Sequence, residues 1–163
     1  MDDYYEGVVV QYLRADPSMF VRPQCCIQLD AGPLKDGEHW YCDVVAVRLR
    51  EPETVFLCEV SFAKVPRSLF NRLQAWRRDW TRVREALRRD NGVDREWPVQ
   101  PWVFVRGERV ANIKRRLGEL LGPPAGADAM PAPLVSSLDD VTPWRYKPPL
   151  ELPPSGLGCG SRR

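Results

Sequence analysis

A chain of 163 residues has room for one ordinary domain and a tail, not for two full domains. Its hydrophobic fraction of 44% supports a buried core, and a formal net charge of +2 excludes any argument for a polyanionic partner from overall charge alone. The five cysteines, Cys25, Cys26, Cys42, Cys58 and Cys159, are odd in number and contain no CxxC pair, so they read as reduced thiols, four of them in apolar runs. A zinc site built from Cys25, Cys42, Cys58 and His39 lacks the spacing of a ribbon or finger. The acidic start, with Asp2, Asp3 and Glu6, is unlike a secretory signal, and no apolar run approaches the ~20 residues of a membrane span. A cytoplasmic location without membrane attachment is therefore expected.

The first element is a helix from Asp2 or Asp3, either able to cap it, to about Arg14. Tyr5, Val8, Val9, Tyr12 and Leu13 form its apolar stripe, although the run Val8-Val9-Val10 pulls toward strand. Met19 to Leu29 reads as a strand, and the breakers from Ala31 to Gly37 as a turn. Trp40 to Leu49 and Thr54 to Phe62 are two further strands, joined by the short polar link Arg50-Glu51-Pro52-Glu53. Pro66 suits the first turn of one long helix to about Asp90. Leu69, Leu73, Trp76, Trp80, Val83 and Leu87 mark its buried face at alternating four- and three-residue spacing. Trp102 to Val105 follows as a short apolar strand, and a helix from about Glu108 to Leu121 buries Val110, Ile113, Leu117 and Leu121. Nine of the sixteen prolines fall in the last 41 residues. A core over 1–122 and a Pro-rich, partly extended tail over 123–163 are expected, with one edge strand at Leu134–Leu138 and Trp144 or Tyr146 pinning the tail. The tail is also the candidate surface for a homodimer or a protein partner.

Two acids interrupt apolar strands. Asp43 lies in Trp40-Tyr41-Cys42-Asp43-Val44-Val45-Ala46-Val47 and Glu59 in Val55-Phe56-Leu57-Cys58-Glu59-Val60. Aspartate is depleted in strands, and an unpaired buried carboxylate costs several kcal/mol, so each needs a positive partner. A divalent cation meets that need for two acids at once. Edge strands with both acids facing water are the bland alternative.

Helix, strand, Asp-bearing strand, Glu-bearing strand, long helix and strand, with Asp43 followed after 15 residues by Glu59-Val60-Ser61, resembles the PD-(D/E)XK nuclease superfamily. The resemblance spans roughly Asp2 to Leu121 in element order, and its motif is short and degenerate. It implies an α/β, restriction-endonuclease-like fold: a mixed central sheet flanked by helices. It also implies that Asp43 and Glu59 hold Mg²⁺ or Mn²⁺, helped by the Val60 carbonyl, with Glu6 as the further acid from the first helix. No proline precedes Asp43, and Ser61 stands where the family carries a lysine. That lysine's part in catalysis falls first to Lys64 and second to Arg72, although arginine is a poor base. Gln74 stands where some relatives carry a helix glutamine. The activity implied is a metal-dependent nuclease acting on DNA, or secondarily RNA. The alternative is a catalytically inactive member serving as a nucleic-acid-binding or protein-interaction adaptor.

The long helix is also basic. Between Arg67 and Arg89 there are eight arginines against Asp79 and Glu85. Arg67, Arg78, Arg82 and Arg89 lie opposite the apolar stripe, and Arg72 near its edge. Arg67, Arg72, Arg78 and Arg82 are therefore the candidate nucleic-acid contacts, against the alternative of a merely solvated face. Lys114, Arg115 and Arg116 extend the basic inventory. Histidine catalysis has little support from His39 alone, and no nucleotide-binding or serine-hydrolase motif is present.

Overall fold

The computed structural model describes residues 2–94 and 96–142; Trp144, Tyr146 and the rest of 143–163 lie outside the described residues. The elements are α1 (Asp2–Arg14), β1 (Met19–Gln28), β2 (His39–Arg48), β3 (Thr54–Ser61), α2 (Arg67–Arg78), α3 (Trp80–Asn91), β4 (Val99–Val105), α4 (Val110–Leu121), β5 (Leu134–Ser137) and α5 (Leu138–Val141). The five strands form one mixed sheet in sequence order. β1, β2 and β3 run antiparallel as a meander, and β3, β4 and β5 run parallel. Parallel neighbours need long crossovers, which α2–α3 and α4 supply.

Helices cover both faces. Leu69, Leu73, Trp76, Trp80, Val83 and Leu87 pack with Ile113 and Leu117 against Val55, Leu57, Val103 and Val105. On the opposite face Val9 and Leu13 of α1, together with Leu138 and Val141 of α5, cover Phe56, Cys58, Val60, Trp102 and Phe104. The strict alternation of β3 and β4 between these two cores is the period-two pleat of a sheet buried on both sides. The structure is thus an α/β three-layer arrangement with a mixed sheet.

One expectation changes in detail. The single helix expected from Pro66 to Asp90 is two, because Asp79 leaves helical geometry at φ −107°, ψ 24°. The hydrogen bonds from Asp79 N to the Ala75 carbonyl and from Val83 N to the Asp79 carbonyl, both 3.0 Å, keep the two halves nearly continuous. Aspartate favours such non-helical conformations, and here its carboxylate engages Arg78 and Arg82. The edge strand expected at Leu134–Leu138 is present as β5, Leu134–Ser137. β5 extends the sheet beside β4, and Met130, Leu138 and Val141 are buried.

One irregularity shapes the sheet. In β1, Met19 and Val21 face the α1 core whereas Cys25 and Ile27 face the α2–α3 core. In β2, Val44 and Ala46 face α1 whereas Trp40 and Cys42 face the other side. All four β1 residues are odd-numbered and all four β2 residues even-numbered, so each strand inverts once. The inversions coincide: the paired register runs Pro23↔Val44 and Cys25↔Cys42, with Gln24 opposite Asp43 between them. Gln24 absorbs the twist at φ 49°, a left-handed conformation.

Strand propensity favours valine over glutamine at position 24, and the backbone reverses that preference. Gln24→Val should cost about 1–3 kcal/mol, because a β-branched residue is strained at positive φ, whereas Gln24→Gly should be close to neutral. Urea unfolding of the three proteins checks the order, and a valine variant as stable as wild type would refute the strain.

Candidate functional site

Asp43 and Glu59 come together where β2 and β3 part. Cα pairing between these strands runs from Arg48↔Thr54 to Val44↔Cys58 and stops one step short of the two acids. Asp43 takes over part of the lost ladder, its Oδ2 accepting a 2.7 Å hydrogen bond from the Val60 backbone N–H. Arg72, projecting from α2, joins the pair: its Nη1 lies 2.5 Å from Glu59 Oε2 and 3.8 Å from Asp43 Oδ1. The same nitrogen donates to the Tyr41 carbonyl at 3.0 Å, which anchors the guanidinium to the end of β2. The two acids therefore lie on neighbouring antiparallel strands and converge on one point, as their strand positions imply.

The alternation of β3 sets Glu59 and Ser61 toward the α2 side and Val60 toward α1. Glu59 is 3% exposed, Val60 is buried in the α1 core and Ser61 is half-buried. Glu59 Oε1 is a buried carboxylate oxygen without a hydrogen-bond partner. The neighbouring Cys42 thiol supplies only weak help, since a thiol is a poor donor. Burial, and then the charge of Asp43, push the Glu59 carboxyl up to about 8 despite the pull of Arg72. Burial opposes the charge on Arg72, but Glu59 and Asp43 outweigh it and hold the guanidinium above its ordinary value. Cys42 and Cys58 are driven well above the usual thiol range, first by burial and then by Glu59, so they are inert thiols.

The other sequence-derived candidates lie outside this cluster. Glu6 Oε2 accepts a hydrogen bond from Gln24 Nε2, the residue opposite Asp43 in the sheet register. Among the described residues no three or more His, Cys, Asp or Glu side chains gather as a metal-binding group. Glu6 is therefore not brought into such a group with Asp43 and Glu59, nor are Cys25, Cys42, Cys58 and His39 gathered for zinc. Lys64 is exposed, and its carbonyl accepts a 2.7 Å bond from Arg109. Arg78 pairs with Asp79 at 2.9 Å, while Arg82 reaches Asp30 at 3.0 Å and Asp79 at 3.6 Å. Arg67 stays exposed at the start of α2.

Two contributors went unread in the sequence: the Val60 amide, because it donates through its backbone, and Gln24, because a polar residue in a strand looks ordinary. Cys42 carried a weak signal through its place beside Asp43.

Two carboxylates, one with an unused buried oxygen, suit a hard cation of the Mg²⁺ type, which commonly takes one or two protein carboxylates and completes its shell with water and substrate oxygens. No protein-family model, curated protein or solved structure matches this chain.

The site makes stability depend on pH. Glu59 titrates at its ordinary value of 4.5 in the unfolded chain and at about 8 in the folded protein, so between these values the folded state holds the extra proton. The stabilisation is complete below the lower value and is lost as pH rises through the upper one. Thermal unfolding of the metal-free protein should show Tm falling across this window, and Glu59→Gln should remove that component of the fall. A wild-type Tm that rises with pH there would contradict the burial assigned to Glu59.

Proposed function

We propose that the chain is a metal-dependent phosphodiesterase of the PD-(D/E)XK type, acting on DNA or secondarily on RNA, with Asp43 and Glu59 holding Mg²⁺ or Mn²⁺. The observation that carries this reading is the convergence of two carboxylates at the parting of β2 and β3, one of them with a buried and unpartnered oxygen. The cation's contribution when bound is Lewis acidity toward water and neutralisation of charge on the scissile phosphate.

The protein side chains do the rest. Asp43 is fixed by the Val60 amide and cannot swing away when a phosphate enters, so the site is oriented in advance. Arg72 keeps the carboxylates from repelling one another before the cation arrives. Arginine remains protonated, so its role with substrate is to bind a phosphate oxygen, not to accept a proton. Lys64, on the loop between β3 and α2, is the candidate for general acid–base work in place of the Ser61 position. Its exposed side chain requires it to reach the phosphate from the solvent side.

The adaptor reading keeps one specific support: Arg72 already neutralises the acids, and Ser61 replaces the family lysine. On that reading the Arg72 cluster is a purely structural ion triad.

Cleavage of plasmid and single-stranded oligonucleotides with Mg²⁺ or Mn²⁺ separates the two. An active enzyme should lose all cleavage on Asp43→Asn or Glu59→Gln with the fold retained by circular dichroism, and about 10²–10⁴-fold on Lys64→Ala. Wild-type protein that binds Mn²⁺ and cleaves neither nucleic acid favours the adaptor. Activity surviving both acid substitutions removes Asp43 and Glu59 from the chemistry.

A further inference from the structure

α2 presents a second polar face, away from the acid pair. Arg67, Phe70, Asn71 and Gln74 follow the i, i+3, i+4, i+7 spacing of one helical face, and they line a cleft of about 470 Å³ against Arg116 and Glu119 of α4. Arg72 projects from another side of the same helix, roughly 140° round from Arg67 at about 100° per residue. The two features are therefore independent.

The chemistry of the cleft is selective. Among the described residues the side chains of Arg67, Asn71 and Gln74 make no hydrogen bond or ion pair. The Arg116 guanidinium lies 4.6 Å from the centre of the Phe70 ring and makes no ion pair among the described residues. Among the described residues the only acid lining the cleft, Glu119, is already held by Arg115 at 2.6 Å. This contrasts with the rest of the arginine-rich face, where Arg78, Arg82, Arg84 and Arg89 are all engaged by aspartates. Two cations without carboxylate partners and two carboxamides thus converge on one concavity, whose volume falls in the usual range for small-ligand sites.

We propose that this α2–α4 cleft binds a nucleotide unit, either a free nucleoside phosphate or one residue of a nucleic-acid strand. Arg67 and Arg116 supply charge-assisted hydrogen bonds to the phosphate. Asn71 and Gln74 each offer a donor and an acceptor side by side, the complement of a nucleobase edge. The Arg116 guanidinium, beside the Phe70 ring, is planar and suited to stacking on a base. A simple anion such as sulfate would satisfy the arginines and leave the carboxamides unused, so a base together with a phosphate fits the whole lining.

Binding is measured on the full chain in EDTA, which removes any metal-dependent contribution from Asp43 and Glu59. The probes are AMP, adenosine, inorganic phosphate and a ten-nucleotide oligothymidylate, followed by titration calorimetry. AMP or the oligonucleotide should bind saturably, and whichever binds identifies the source of the nucleotide. Arg67→Gln should weaken that binding by about tenfold, and Arg67→Gln/Arg116→Gln should abolish it. Asn71→Ala/Gln74→Ala should weaken nucleotide binding while leaving the affinity for inorganic phosphate unchanged. Arg67 makes no contact that the fold needs, so the single variant remains informative if the double variant unfolds. The proposal is overturned if neither AMP nor the oligonucleotide binds, if binding is unchanged by Arg67→Gln, or if inorganic phosphate binds as well as AMP. Because no metal is present, failure here leaves the phosphodiesterase reading untouched, and loss of cleavage in the acid variants leaves this site untouched.

Discussion

A buried carboxylate, Glu59, with the half-buried Asp43 beside it in one sheet is the constraint on which this fold turns. In a low-dielectric interior an ionised acid is costly, and a second acid beside it adds repulsion. The protein meets the cost in three ways at once: the Arg72 guanidinium bridges the pair, the Val60 amide is diverted from the ladder to Asp43, and Glu59 is held toward its neutral form. The sheet is irregular around the pair. β2 and β3 separate one step early, β1 and β2 invert their faces opposite one another, and Gln24 takes a left-handed conformation. Local strain of this kind persists only where the surrounding packing over-determines it. Here the over-determination comes from two cores, one on each side of the sheet.

Arg72 also ties the acid pair to the helical layer. It is anchored to β2 through the Tyr41 carbonyl, while the next residue, Leu73, and then Trp76 are fully buried on the same helix. The position of the cation is therefore set by hydrophobic packing a single residue away, and the guanidinium arrives already oriented. Little rotamer entropy remains to be lost when it pairs, which is the condition under which a partly buried ion pair repays its desolvation.

The arginines of α2 and α3 act mostly as internal fasteners. Arg82 reaches Asp30 in the turn after β1, Arg89 reaches the carbonyls of Gln28 and Leu29, and Arg77 and Arg84 hold the segment after α4 through Gly122, Pro123 and Asp128. Exposed pairs of this type add little stability one by one. Their effect is positional, because they seat two connecting segments, the turn after β1 and the stretch after α4, on one helical layer. The local excess of positive charge is correspondingly smaller at the surface than the residue count implies, although among the described residues Arg67 has no carboxylate partner.

The sequence alone determined the element order, the apolar faces of the helices and the placement of Asp43 and Glu59 on adjacent strands, because each depends on short-range periodicity: two residues in strands, 3.6 in helices. It also marked both acids as anomalies, since their neighbours are continuously apolar. The tertiary structure decided what periodicity cannot carry. The helical break at Asp79 depends on aspartate's local preference and on which arginines come within its reach. The face inversion at Gln24 and Asp43 is invisible in either strand taken singly, because it exists only in their register. Arg72 looked like one of eight basic residues on a helix, and its pairing with Glu59 follows from the crossing of α2 over a sheet built from distant segments. Charge pairing and strand register are relations between residues far apart in the chain, so they belong to the fold and have no local pattern to betray them.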